Sequence, residues 1–109
     1  MTDVVVVLTT MPDDETKTDE FARRLIDERL VACVSVHASM KSTYRWNNRV
    51  ECERERQIVM KTTRGRVDQL QRRLQTLHPY EVPEFLVLGA DTGSDAYVKW
   101  VNEETTPAR

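Results

Sequence analysis

The stretch VECERERQIVMKT, residues 50–62, contains neither glycine nor proline and keeps a two-residue alternation along its length. Glu51, Glu53 and Glu55 fall on one face, and arginine and apolar side chains fall on the other. This alternation predicts a β-strand, which at about 3.3 Å per residue would be roughly 40 Å long. A chain of 109 residues forms a domain with a radius of gyration of only about 13 Å. We therefore expect one end of this strand to project beyond the body of the protein.

The segment STYRWNN, residues 42–48, precedes this strand and predicts the other arm of a hairpin. Asparagine tolerates the left-handed backbone that a tight turn requires, so we place the turn at Asn47-Asn48. A lone hairpin is marginally stable in water, and an unpaired strand edge invites association. We expect the arms to pair between subunits of a closed oligomer. The alternative is a solvated, bent hairpin that contains a bulge.

The hydrophobic pattern outside the hairpin predicts further strands and three helices. Apolar, β-branched runs at residues 3–9, 30–36 and 84–90 are typical of buried strands. Helical spacing of apolar residues follows at 21–30 and 67–77, and Ser94 can cap a last short helix. The order β-α-β-β-α-β-α predicts an α+β fold: a ferredoxin-like split βαβ sandwich with a long β-hairpin and an added C-terminal helix. No linker or repeat divides residues 1–109, so we predict a single domain.

Composition and charge argue against several function classes. The net charge is −2 and acidic and basic residues are interleaved, whereas a nucleic-acid-binding protein carries a basic stripe. No apolar run approaches the 18 or so residues of a membrane span, and the N-terminus lacks the basic and long apolar segments of a signal peptide. Cys33 and Cys52 form neither a disulfide framework nor a CxxC metal motif, which favours a reduced, cytoplasmic protein. No Ser-His-Asp or Cys-His arrangement indicates an enzyme.

Several motifs, in order along nearly the whole chain, resemble the CutA divalent-cation-tolerance family. They are the pair Tyr44-x-Trp46, the Glu-x-Glu that precedes Lys61-Thr62, and the run HPYE followed by PE at residues 78–84. The resemblance implies a ferredoxin-like fold and a tight homotrimer with interlocked strands, similar to the PII signalling proteins. It also implies a role in tolerance of divalent metals, copper above all, and no enzymatic reaction.

His78 is the candidate metal ligand. A neutral imidazole suits Cu(II), Zn(II) or Ni(II), a stable site needs about three or four ligands, and the nearest acids are Glu81 and Glu84. Family members with a proposed copper site add a cysteine in the first strand-turn and a second histidine before the HPY run. This chain has Thr9 and Leu77 there, so only His78 matches the trio. The alternative is a histidine that ends a helix and bonds to its last carbonyls.

A second candidate site is a cleft between subunits, with apolar walls and a few convergent polar groups. Its predicted residues are Tyr44, Trp46, Glu55, Lys61, Tyr80 and Glu81. Such a cleft would make the protein a PII-like signalling or binding module that holds a small metabolite or regulates a partner protein. The alternatives are interface packing of the aromatic residues and a pair between Lys61 and a glutamate across the hairpin or the interface. Lys61 beside a helix N-terminus could also favour an anion.

Overall fold

The chain forms a five-stranded antiparallel sheet with three α-helices, and the computed structural model describes residues 1–107. The elements in chain order are β1 (Val4–Pro12), α1 (Glu15–Asp27), β2 (Cys33–Val36), β3 (Met40–Trp46), β4 (Arg49–Thr63), a 3-10 turn (Arg64–Arg66), α2 (Val67–Leu77), β5 (Leu86–Gly89) and α3 (Asp95–Glu104). No helix within these residues is long and apolar enough to cross a bilayer.

The strand order is β2-β4-β1-β5, and β3 pairs with β4 farther along the same strand. Because β4 is antiparallel to both β1 and β2, these two strands run parallel on either side of it. In the same way β4 and β5 run parallel on either side of β1, and α2 connects β4 to β5. This interleaving of two βαβ units is the split βαβ arrangement. The predicted ferredoxin-like fold is confirmed.

The observed strands differ from the predicted ones in their bounds, by one or two residues at β4 and β5 and by three residues at one end of β1 and of β2. β1 continues to Pro12, three residues past its predicted end, because residues 10–12 pair with residues 55–57 of β4. The strand predicted over 30–36 begins only at Cys33. Arg29 adopts a left-handed backbone with φ 57, and the Leu30 amide bonds to the Leu25 carbonyl, 3.1 Å away. The turn that follows α1 therefore includes Leu30, the first residue of the predicted strand.

The main core lies between one face of the sheet and the helices α1 and α2. Apolar residues of both layers are buried there: Val5, Val7, Ile58 and Met60 from the sheet, and Phe21, Leu25, Leu70 and Leu74 from the helices. α3 packs on the opposite face, where Val101 contacts Val4. Ser94 caps this helix as predicted, since its side chain accepts the Tyr97 amide.

Part of the face on which α3 lies is left uncovered by the three helices of residues 1–107. Directly opposite residues of antiparallel strands share a face, which here brings Val6, Leu8 and Val59 together with Leu86 and Leu88 of β5. Leu86 is 56% exposed and Leu88 is 53% exposed. The middle of the sheet therefore presents an apolar surface, called here the uncovered face, to the outside of the chain.

The β3–β4 hairpin projects from the body. β1 reaches only as far as Glu55 on β4, so Arg49–Arg54 pair with β3 alone. The turn lies at Asn47 and Asn48, with φ 50 and φ 62, as predicted. The molecule measures 44 × 28 × 24 Å. The predicted projecting arm is confirmed, and it is a two-stranded ribbon over its outer half.

Asp13 fixes the base of the hairpin. Its carboxylate accepts hydrogen bonds from the Ser39 hydroxyl at 2.6 Å and from Arg56 Nε at 2.8 Å. The Ser39 hydroxyl first, and then the Arg56 guanidinium, lower the pKa of the Asp13 carboxyl. One side chain directly after β1 thus bonds to β4 and to the residue that precedes β3.

Candidate functional site

A groove of about 720 Å³ lies between the hairpin and the segment that joins α2 to β5. One wall is made by residues 79–84, and the floor by side chains of β3, β4 and β1. The lining residues are Thr10, Met40, Ser42, Tyr44, Trp46, Glu55, Gln57, Pro79, Tyr80, Glu81, Val82, Pro83 and Glu84. Small-molecule sites are commonly concave spaces of roughly 300–1,000 Å³, so this groove has the size of a ligand site.

Two prolines shape the wall. Pro79 cannot continue the hydrogen-bond ladder of α2, and the residue before a proline avoids helical angles. His78 accordingly has φ −80 and ψ 138, and α2 ends at Leu77. Pro83 restrains the chain again shortly before β5. The short segment between the prolines carries Tyr80 and Glu81 against the hairpin.

Tyr80 connects this wall to the floor. Its hydroxyl donates a hydrogen bond to Glu55 Oε2 at 2.7 Å, and only 7% of Glu55 is exposed. Burial, together with the hydrogen bond to the Glu55 carboxylate, raises the pKa of the Tyr80 phenol above its ordinary value. The phenol is therefore protonated at neutral pH and acts as the donor.

A second contact closes the inner end of the groove. Gln57 Nε2 donates to the Thr9 carbonyl at 2.7 Å and lies 3.0 Å from Glu84 Oε2. Gln57 and Glu55 occupy the same face of β4 because they are two residues apart. These two residues and the wall therefore form a polar end to a groove that is otherwise largely apolar.

Tyr44 and Trp46 form the outer part of the floor. They are two residues apart on β3, on one face, and both are exposed. Partial burial, with the carboxylates of Glu53, Glu55 and Glu51 adding to it, raises the pKa of the Tyr44 phenol. The aromatic part of the groove thus lies in a negative electrostatic environment.

Lys61 is the one predicted cleft residue that does not line the groove. It lies opposite Val6 of β1 and Cys33 of β2, six residues along β4 from Glu55 and on the same face. The structure therefore brings together five of the six predicted residues within one chain, and places Lys61 at the uncovered face.

His78 lies behind the wall, with 7% of its surface exposed. Its Nε2 is 2.6 Å from the Thr10 carbonyl oxygen, and its Nδ1 accepts the Tyr80 amide N–H at 3.1 Å. A carbonyl only accepts, so the proton is on Nε2 and the ring is the neutral tautomer. Burial lowers the pKa of His78, although the Thr10 carbonyl and Glu55 act in the opposite direction.

These contacts bear on the predicted metal site. A metal bound at Nδ1 would displace the hydrogen bond from the Tyr80 amide. A metal bound at Nε2 would displace the N–H that donates to the Thr10 carbonyl. No group of three or more His, Cys, Asp or Glu side chains within residues 1–107 could hold a metal ion. Thr9 and Leu77 add no ligand, since Thr9 is fully buried and Leu77 packs against the core. The residues of one chain therefore do not fit a copper site.

The sequence interpretation missed part of the groove. Met40 and Ser42 precede Tyr44 and Trp46 at the same two-residue spacing, and Gln57 follows Glu55 in the same way. Extending the strand periodicity would have found them. Thr10 carried no sequence signal, because its carbonyl meets His78 only through the tertiary fold.

Comparisons with known proteins agree with this fold and these motifs. The sequence profile described as "CutA1 divalent ion tolerance protein" matches residues 5–104. The divalent-cation tolerance protein CutA of Thermus thermophilus is 38% identical over 100 residues, which cover 92% of this chain and 96% of that protein. CutA of Escherichia coli is 39% identical over 98 residues, covering 90% of this chain and 87% of that protein.

Solved structures give the same result. CutA from Xylella fastidiosa superposes with a TM-score of 0.91 at 35% identity, over 96% of this chain and 100% of that one. The Thermus thermophilus structure superposes with a TM-score of 0.90 at 37% identity, over 94% of this chain and 99% of that one. With the profile match, the identities and the shared fold together, this chain belongs to the CutA divalent ion tolerance family.

Proposed function

We propose that this protein acts in the cytoplasm as a homotrimer that contributes to divalent-cation tolerance by binding rather than by catalysis. The observation that carries the assembly is the uncovered face, on which Leu86 and Leu88 are more than half exposed. Monomeric soluble proteins rarely leave contiguous apolar surface of this kind open to water. The projecting hairpin adds strand edges whose unpaired backbone N–H and C=O groups could pair with a neighbouring subunit.

The test of the assembly is a mass in solution. Size-exclusion chromatography with light scattering is expected to give about three times the chain mass of 12.7 kDa. A mass equal to that of one chain at micromolar concentration contradicts the proposal.

Metal binding at His78 is the second part of this proposal, with copper or another divalent cation as the ion. It has a structural cost, because coordination at either ring nitrogen displaces a hydrogen bond that holds the wall in place. A neighbouring subunit would also have to supply ligands, since one imidazole is not a site. We therefore expect binding to be weak and to disturb the Tyr80 segment.

Calorimetry with Cu(II) on the oligomer tests this role. His78→Ala is expected to lose the binding, and His37→Ala is the matched control because His37 is exposed and is the only other histidine. Circular dichroism of both variants shows whether they are folded under the conditions of the titration. Equal Cu(II) binding by the wild type and a folded His78→Ala variant would exclude His78 as the ligand.

A second candidate function is a PII-like binding module that holds a small metabolite or regulates a partner. The groove favours it, since five of the predicted cleft residues meet there in a space of about 720 Å³. Lys61 would join them only from a neighbouring subunit, across the uncovered face.

Trp46 fluorescence tests the binding module. The chain has two tryptophans, so the Trp46→Phe variant assigns any change to the groove rather than to Trp100. A ligand is expected to change the wild-type emission and leave that of the variant unchanged. A broad metabolite screen that changes neither the emission nor the thermal midpoint counts against this function.

A further inference from the structure

Glu55 is a buried carboxylate that has no cationic partner among residues 1–107. Only 7% of it is exposed, and none of the ion pairs within residues 1–107 includes it. The Tyr80 hydroxyl bonds to Oε2, and no donor within the described part of the chain bonds to Oε1. Buried carboxylates are normally paired with a cation or held by several hydrogen bonds. The floor of the groove therefore carries a negative charge that no lysine, arginine or histidine within residues 1–107 neutralises in an ion pair.

The rest of the lining has the same sign. Glu81 and Glu84 also face the groove, and its lining residues include no lysine, arginine or histidine. The two arginines adjacent to Glu55 on β4, Arg54 and Arg56, lie on the opposite face of the strand, where Asp13 holds Arg56 at 2.8 Å. The groove consequently repels anions and attracts cations.

The groove also offers a surface for an apolar body. Tyr44 and Trp46 present aromatic rings beside Met40 and Val82. The faces of tyrosine and tryptophan rings attract organic cations as well as apolar groups. A hydrated inorganic ion would leave this surface unused, and hard divalent cations need about six oxygen ligands.

We propose that the groove binds an organic cation, a primary ammonium or guanidinium group on an apolar body, with the charged group at Glu55 and the body against Tyr44 and Trp46. The inference rests on the proposed function of the groove as a ligand site and specifies the chemical class of the ligand. Ammonium and guanidinium groups donate three and five N–H bonds, so such a group can donate to Glu55 Oε1 and leave the Tyr80 bond to Oε2 intact.

Three probes with one body and different charges test the ligand class. They are phenethylamine, 2-phenylethanol and 3-phenylpropionate, titrated into the wild-type oligomer by calorimetry and by Trp46 emission excited at 295 nm. We expect phenethylamine to bind at least tenfold more tightly than the alcohol, and the anion not to bind. The affinity of the amine is expected to fall as salt is added, because the contact is partly electrostatic.

Variants then locate the charged group. Glu55→Gln keeps the shape and the acceptor for Tyr80, and it is expected to weaken phenethylamine binding at least tenfold. Glu20→Gln, at an exposed position on α1, removes the same formal charge away from the groove and is expected to change nothing. Agmatine and N-acetyl-arginine amide distinguish a free small molecule from an arginine side chain of a polypeptide as the source of the cation. Tighter binding of agmatine than of the amide indicates a free small molecule, and the reverse indicates an arginine side chain. Both results support an organic cation as the ligand.

Lys61 provides the test against the strongest alternative, in which a neighbouring subunit's lysine neutralises Glu55. Lys61→Met is expected to leave the affinity for phenethylamine within threefold of the wild type. Tighter binding than that, or binding only in this variant, overturns the inference, as does equal affinity for the amine and the alcohol. If only the neutral or anionic probe changes Trp46 emission, the groove is a ligand site of another class. If neither these probes nor a metabolite screen changes the Trp46 emission, the proposed function of the groove as a ligand site fails as well.

Discussion

His78 shows how the fold alters the chemistry of a single side chain. The ring is buried, donates from Nε2 to the Thr10 carbonyl, accepts the Tyr80 amide N–H at Nδ1 and makes a T-shaped contact with the Phe21 ring. A charged imidazole would lose the acceptor that the Tyr80 amide requires. Burial therefore outweighs the two influences that favour the protonated form, and the pKa of His78 is lowered.

This lowered pKa predicts an acid-sensitive stability. His78 has its ordinary pKa near 6.5 in the unfolded chain and a lower one in the folded chain. Its contribution is fully present above pH 6.5 and is lost as the pH falls below 6.5 toward the folded pKa, because the unfolded state binds the proton more readily. We expect the urea midpoint of the wild type to fall more between pH 7.5 and pH 5 than that of His78→Gln.

His37 supplies the control for this measurement. It is exposed, and His37→Gln is expected to keep the full acid sensitivity of the wild type. Identical pH dependence in the wild type and His78→Gln would show that the acid sensitivity arises elsewhere.

Residue spacing predicted some site residues and not others, for a physical reason. Tyr44, Trp46 and Glu55 follow from the two-residue period of a strand, which is a local property. The position of Tyr80 follows from the prolines on either side of it. The orientation of His78 depends on the Thr10 carbonyl of a strand distant in sequence. Lys61 shares the face of Glu55 but lies too far along β4 to line the groove.

At the scale of elements, the hairpin is the part of the fold that the sequence predicted in most detail. The absence of glycine and proline over residues 50–62 and the Asn47-Asn48 turn were both visible in the sequence. The ends of β1 and β2 were not, because they depend on pairing with β4 and on the left-handed residue Arg29. Strand ends are decided by tertiary partners, whereas a long alternating pattern is decided locally.

The turn provides a prediction at this scale. Asn48 has φ 62, a backbone region that costs most L-residues about 1–2 kcal/mol and asparagine or glycine less. Asn48→Ala is therefore expected to destabilise the hairpin by about 1 kcal/mol, whereas Asn48→Gly is expected to be neutral or stabilising. Because residues 49–54 of β4 form backbone pairs with β3 and not with β1, the effect is measured by amide exchange of β3 and β4 residues. Equal exchange in the Ala and Gly variants would show that the turn backbone relaxes.

At the scale of the whole molecule, the two faces of the sheet differ in how far helices cover them. The side under α1 and α2 buries Val5, Val7 and Met60 completely. The other side is covered by α3 at one end only, and the hairpin and groove extend from its open part. The groove and the uncovered face are therefore neighbours, so that any subunit placed on the uncovered face also approaches the groove.

This arrangement predicts that folding stability depends on protein concentration. If neighbouring subunits bury Leu88, mass action stabilises the folded state as concentration rises, and the thermal midpoint increases with it. Leu88→Glu places a carboxylate on the uncovered face and is expected to give a single-chain mass by light scattering and a midpoint independent of concentration. Ile26→Glu is the matched control, since Ile26 is 39% exposed on α1, and it is expected to keep the wild-type mass and concentration dependence. A concentration-independent wild type, or loss of assembly in both variants, would show that the uncovered face is not the surface on which the subunits meet.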